Sequence, residues 1–188
     1  MKKHIPFVFL NSLLRTMGAM RGSGLWMAGV LFCSMGALHN PAPKYTAYFF
    51  LSDGCPMCQG YAGTMNRLAQ EYEGQGVRFV GIFPNFYVTD SAIASFRHDF
   101  DIHFELKKDS GFVLTERFKA SITPEVFLTD ANDHVVYGGM IDNAYYQPGK
   151  RRGTTSIFYL KNALDNLLSN RPVGLAWSQP IGCVIVKD

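Results

Sequence analysis

The chain's 188 residues suffice for one domain with a substantial core, and its 47% hydrophobic and 18% charged content is ordinary for a globular protein. A formal net charge of +3 is too small to argue for nucleic acid, so no nucleic-acid partner is expected. The sequence carries no internal repeat and no low-complexity tract.

The N-terminal stretch reads as an export segment. Residues 25–32 form an apolar core preceded by Arg21 and followed by the small residues Ser34, Gly36 and Ala37. Residues 1–37 are therefore assigned to a signal peptide or a retained N-terminal anchor, with cleavage expected after Gly36 or Ala37. The apolar run is shorter than the ~20 residues of a membrane span. Translation from Met17 or Met20 would give a more ordinary leader. Cys33 follows the bulky Phe32, which argues against lipidation, and is expected to leave with the leader.

Beyond it, strand and helix patterns alternate. The aromatic and β-branched run 45–51 reads as a strand. Tyr61, Ala62, Met65, Leu68, Ala69 and Tyr72 then mark one helical face, closed by Gly74 and Gly76. Val77–Phe83 has the continuous apolar character of a buried parallel strand. Thr89 or Asp90 caps a second helix carrying Ile93, Phe96 and Phe100. A short strand over 104–106 and a helical turn over 114–118 follow. Strands over 125–129 and 135–141 are joined by a turn at 130–133, with His134 exposed beside it. Thr154 or Thr155 caps a final helix with Ile157, Leu160, Leu164, Leu167 and Leu168, ended before Pro172. The cluster Lys150, Arg151 and Arg152 is read as a solvated turn ahead of that helix rather than an anion site. This order predicts an α/β fold with a central mixed β-sheet flanked by helices.

Between the first strand and the first helix stands Cys55-Pro56-Met57-Cys58. A cysteine at a helix N-terminus meets exposed backbone N–H groups and the positive end of the helix dipole, which stabilise a thiolate. The second cysteine lies one turn in, within reach of a mixed disulfide on the first. The same spacing would serve as half of a zinc site. However, Cys33 and Cys183 are isolated and the five histidines are scattered, so no second ligand pair exists. No metal site is assigned and no cofactor is required.

The C-P-M-C after the first strand, together with Ile122-Thr123-Pro124 before the penultimate strand, resembles the thioredoxin-like superfamily. More specifically, it resembles exported redoxins related to alkyl hydroperoxide reductase/TSA proteins. The resemblance covers 44–169 and implies a thioredoxin-like fold. It further implies Cys55 as nucleophile, Cys58 as resolving thiol, and Thr123 and Pro124 as a substrate-docking element with a cis proline. A cis X-Pro bond withholds an N–H and leaves neighbouring backbone free to pair with a peptide.

The chain departs from that family in places. Gly54 replaces the usual Trp before the first cysteine, and Asp53 would raise the thiol pKa if it faced the sulfur. A peroxiredoxin-like thiol peroxidase is the nearest alternative. Ser52 stands at the Thr position of its Pro-x-x-x-Thr-x-x-Cys loop, but Tyr48 stands at the Pro position.

Residues 170–188 form a C-terminal extension. The preferred reading is an extended covering segment in which Cys183 is a small buried hydrophobe. The alternative brings Cys183 beside Cys55 and Cys58 as a third redox thiol or soft ligand, which would suit a Cu(I) carrier. The stretch 83–87 follows the second strand at a ligand-binding sheet edge; plain aromatic packing is the preferred reading and a peptide groove the alternative, while Asp142, Asn143, Tyr145 and Tyr146 lie beyond a strand end. The sequence thus predicts an exported thiol–disulfide oxidoreductase of a bacterial periplasm, acting on a protein disulfide and served by a thiol electron donor. A membrane enters only if the N-terminal segment is retained. A binding module with a purely structural disulfide is the remaining alternative.

Overall fold

The computed structural model describes residues 42–187, so the expected leader over 1–37 and Cys33 lie outside the described residues. The first strand, β1 (Tyr45–Phe50), leads into α1 (Pro56–Tyr72), which ends in a single 3-10 turn (Glu73–Gln75) before β2 (Val77–Phe83). The chain continues through α2 (Asp90–Asp99), β3 (Glu105–Lys108), α3 (Val113–Phe118), β4 (Ile122–Thr123), β5 (Glu125–Asp130) and β6 (Val135–Gly139). A hairpin of β7 (Tyr145–Gln147) and β8 (Lys150–Arg151), then α4 (Tyr159–Leu168) and β9 (Cys183–Val184), complete it.

The main sheet has the order β3-β2-β1-β5-β6. β1 pairs in parallel with β2 and antiparallel with β5, so it sits at the centre with both edges bonded. The alternation along β1 explains the two-sided core. Ala47, Phe49 and Leu51 share one cluster with the apolar faces of α1, α2 and α4. Phe50 points to the opposite face, with Val80, Ile82, Phe118, Phe127 and, from the C-terminal segment, Ile185. Only Arg78 of β2 is exposed, which accounts for the unbroken apolar run in the sequence.

Most expected elements stand where local patterns put them, including Thr89, whose side chain accepts from the Ala92 N–H at 3.1 Å. Three expectations are corrected. The last helix starts at Tyr159 with Phe158 at its N-cap, and neither Thr154 nor Thr155 caps it. Instead Asn143 Oδ1 accepts from the Ser156 and Ile157 N–H groups, both at 3.0 Å, and holds that stretch extended. Lys150 and Arg151 form β8 of the hairpin rather than a turn leading into the helix. β6 stops at Gly139 rather than reaching Ile141. There φ is +118°, and a Cβ would lie 1.8 Å from the Ser178 carbonyl oxygen.

That contact shows where the C-terminal extension runs. The Gly138 N–H donates to Ala176 O at 2.9 Å and the Ser178 N–H to Gly138 O at 3.0 Å. Ser178 Oγ also accepts from the Met140 N–H at 2.8 Å and lies 2.6 Å from Tyr137 Oη. The extension is thus pinned to the β6 edge before it crosses the domain.

Candidate active site

Cys55 is the N-cap of α1, in extended conformation with φ −86° and ψ 113°, and Pro56 at the first helical position enforces the helical start. The Cys55 N–H closes a turn onto Ser52 O at 3.3 Å. Cys58 lies one turn into the helix, fully buried, with the Ser52 N–H directed at its sulfur at 3.4 Å. Opposite stands the Thr123–Pro124 peptide, which is cis. Cys55 Sγ lies 3.5 Å from Thr123 O, so the structure brings Cys55, Cys58, Thr123 and Pro124 to one place.

The expectation for Cys183 is corrected. It is half-buried rather than a core hydrophobe, and its sulfur lies 2.6 Å from Cys55 Sγ. The cause is long-range backbone pairing. β9 runs antiparallel to β4, with Cys183 opposite Thr123 and Val184 opposite Ile122. All three cysteines are free thiols.

These neighbours separate the thiols electrostatically. The Cys55 thiol is lowered to about 5, chiefly because Cys58 donates a hydrogen bond to its thiolate. Burial opposes the shift, while the Cys183 thiol and the Cys58 and Met57 N–H groups at the helix start add to it. Burial pushes the Cys58 thiol well up, and the hydrogen bond and charge of Cys55 add to this. Cys183 rises to about 12, first through burial and then through the same thiolate. One thiolate therefore sits between two protonated thiols. Asp53 is not among the leading causes of the Cys55 shift, and its backbone carbonyl accepts from Gln59 Nε2 at 2.9 Å.

Glu125, directly after the cis proline, is a supporting residue that sequence reasoning missed. It is buried, and its Oε2 accepts from the Ser121 N–H at 3.1 Å and the Ile122 N–H at 3.5 Å, fixing the loop that faces Cys55. Burial raises its pKa, against the effect of those two donors. Asn85, in the predicted groove stretch, binds the C-terminal segment through Oδ1, which accepts from the Val186 N–H at 2.9 Å. Asp142 accepts from Tyr61 Oη at 2.8 Å and Tyr145 packs against the Tyr61 ring at 5.1 Å, so both support α1 from the side. Among the described residues, no group of three or more His, Cys, Asp or Glu has an arrangement that could hold a metal ion. No helix among them is long and apolar enough to cross a membrane.

A mixed sheet with flanking helices, a helix-starting C-x-x-C and a facing cis proline define a thioredoxin-like redoxin. Residues 43–138 match the AhpC/TSA family, and the chain belongs to that family. A hypothetical protein of Sinorhizobium meliloti 1021 is similar in structure, at 27% identity and a TM-score of 0.68, with 76% of this chain and 79% of that one covered. An uncharacterised conserved protein of Geobacillus kaustophilus is also similar, at 25% identity and a TM-score of 0.68, covering 77% and 78%. A thioredoxin-like protein in its oxidised form shares the fold at 16% identity and a TM-score of 0.52, covering 69% and 81%. Comparison with curated proteins finds no match.

Proposed function

We propose that the protein is an exported thiol–disulfide oxidoreductase using Cys55 and Cys58. The observation that carries this reading is the placement of Cys55 at the N-cap of α1, with Cys58 one turn in and the cis Thr123–Pro124 peptide opposite, a setting that lowers the Cys55 thiol to about 5. At neutral pH Cys55 is the thiolate and Cys58 keeps its proton. In the reducing direction the Cys55 thiolate attacks one sulfur of a substrate disulfide, forming a mixed disulfide and releasing the other sulfur as a thiolate. Cys58 then gives its proton to the thiolate released in the first step and attacks Cys55 Sγ; the Cys55–substrate bond breaks, the second substrate sulfur leaves as a thiolate, and a Cys55–Cys58 disulfide remains. A thiol electron donor restores the dithiol. Thr123 and Pro124 present the backbone edge on which an extended peptide docks. The apolar leader-like segment over 25–32 supports action outside the cytoplasm, in a periplasm, where such exchange has disulfide substrates.

Ser52 bears on the peroxidase alternative. Its N–H points to Cys58 rather than to Cys55, so the hydroxyl-bearing loop is organised around the resolving sulfur. The test is capture. Cys58→Ser combined with Cys183→Ala, incubated with a periplasmic extract, is expected to hold partners through a reducible bond at Cys55. Recovery of no such adduct, together with turnover of hydrogen peroxide by the native protein, would replace the reductase with a peroxidase.

A further inference from the structure

The last residues of the chain lie where a substrate peptide would. Gly182–Val186 runs antiparallel along the backbone edge beside the cis proline. It is held by the β4–β9 register, by the Ile185 N–H donating to Ser121 O at 3.0 Å, and by a bond from Thr123 Oγ1 to Cys183 O at 3.4 Å. Side chains alternate as they do in an added strand. Ile185 enters the core beside Phe50 and Phe118, Val184 faces solvent, and Cys183 turns to Cys55. Further along, the Val186 N–H donates to Asn85 Oδ1 at 2.9 Å, and the Phe86 N–H to Val186 O at 3.3 Å. Close approach depends on Gly182, where a Cβ would lie 2.1 Å from the Thr123 carbonyl oxygen. With the segment seated, Cys55 and Cys58 are only 2% and 0% exposed, and Cys183 is the most accessible of the three residues.

We propose that the C-terminal segment is a tethered substrate of Cys55, and that Cys183 is a third redox thiol exchanging disulfides with it. The proposal rests on the oxidoreductase reading of Cys55. Starting from the Cys55–Cys58 disulfide, Cys183 gives up its proton and its sulfur attacks Cys55 Sγ. The Cys55–Cys183 bond forms, the Cys55–Cys58 bond breaks, and Cys58 leaves as a thiolate that takes up a proton. One thiol and one disulfide stand on each side, so no outside oxidant is consumed. The product holds the disulfide at the more exposed sulfur, where an incoming thiolate attacking Cys183 expels Cys55. Cys55 is the better leaving group of the pair because its thiolate is the most stabilised. The same pairing closes the docking edge to external peptides while the tether is in place.

The test uses the full chain carrying Cys58→Ser, treated with glutathione disulfide and mapped by peptide mass spectrometry without reduction. Cys55 attacks the reagent and releases one glutathione. Cys183 then attacks Cys55 Sγ and releases the second. The expected product is a Cys55–Cys183 cross-link, exceeding Cys55 glutathione adduct by roughly tenfold because the competing thiol is tethered. The excess should vanish in denaturant, where the register is lost. Gly182→Val, added to the same background, keeps every remaining thiol and is expected to lower the cross-link about tenfold in favour of the adduct. A dominant Cys55 adduct with Cys183 free in the native fold would overturn the tethered-substrate inference while leaving the oxidoreductase reading intact. A cross-link unchanged by Gly182→Val or by denaturant would also overturn it. Cys55 unmodified by glutathione disulfide would instead remove the oxidoreductase reading itself.

Discussion

Cys55→Ser is expected to lower thiol–disulfide exchange by at least about 10³-fold, measured as the initial rate of reduction of a small peptide disulfide. Serine has nearly the same size and keeps the N-cap backbone geometry, so the loss would report chemistry rather than folding. The remaining sulfurs cannot replace Cys55. Cys58 is fully buried with its thiol pushed well up, and Cys183 stands at about 12. Neither carries an appreciable thiolate at neutral pH once Cys55 is gone, because the shift at each comes first from burial. Exchange in Cys55→Ser at the native rate would show that the C-x-x-C is not the reacting centre.

The second large effect is in pH dependence. Alkylation of Cys55 in the reduced protein is expected to follow a titration centred at about 5, far below the ordinary thiol value of about 8.5. Cys58→Ala removes the strongest stabilising donor and should move that midpoint upward. Cys183→Ala removes a weaker one and should move it less. The same shifts fix the sign for stability. Between about 5 and about 8.5 the unfolded chain keeps a proton on Cys55 that the folded protein has lost, so stability rises with pH through this window. Above about 8.5 the unfolded chain ionises Cys58 and Cys183 while the fold holds them protonated, so stability falls as pH rises further, through the Cys183 thiol up to about 12 and through the Cys58 thiol in the same direction. Denaturation of the reduced protein across pH should therefore show a maximum near 8.5 in the contribution of the three thiols. A midpoint for Cys55 near the ordinary thiol value would contradict the thiolate assignment.

What could be read in the sequence was local. The helical face from Tyr61 to Tyr72, the Thr89 cap and the apolar run of β2 each fix their own element, because the pattern and its cause lie within a few residues. The C-x-x-C and its strand-to-helix setting were likewise readable, and the Thr-Pro was recognisable once the C-x-x-C gave it a context. The start of α4 was misread because its entry is organised by the side chain of Asn143, thirteen and fourteen residues upstream of the N–H groups it accepts from. The path of the C-terminal segment was beyond periodicity altogether. Cys183 meets Cys55 across 128 positions of sequence, through a two-residue ladder and a glycine whose purpose appears only when Thr123 stands opposite. The uniformly apolar run 183–186 carries no alternation in sequence, although Val184 is exposed between Cys183 and the buried Ile185 in the structure.

Under the proposed function and the tethered-substrate inference, Cys55 is the common member of every disulfide this protein forms. The most direct measurement is a redox titration of the full chain in glutathione buffers, with alkylation and peptide mass spectrometry at each potential. The expected result is a reversible transition in which Cys55 is reduced at low potential and, as the potential rises, takes part in every disulfide that forms, paired with Cys58 or with Cys183. A Cys55 that stays alkylatable at every potential, or a Cys58–Cys183 disulfide that excludes it, would contradict the account.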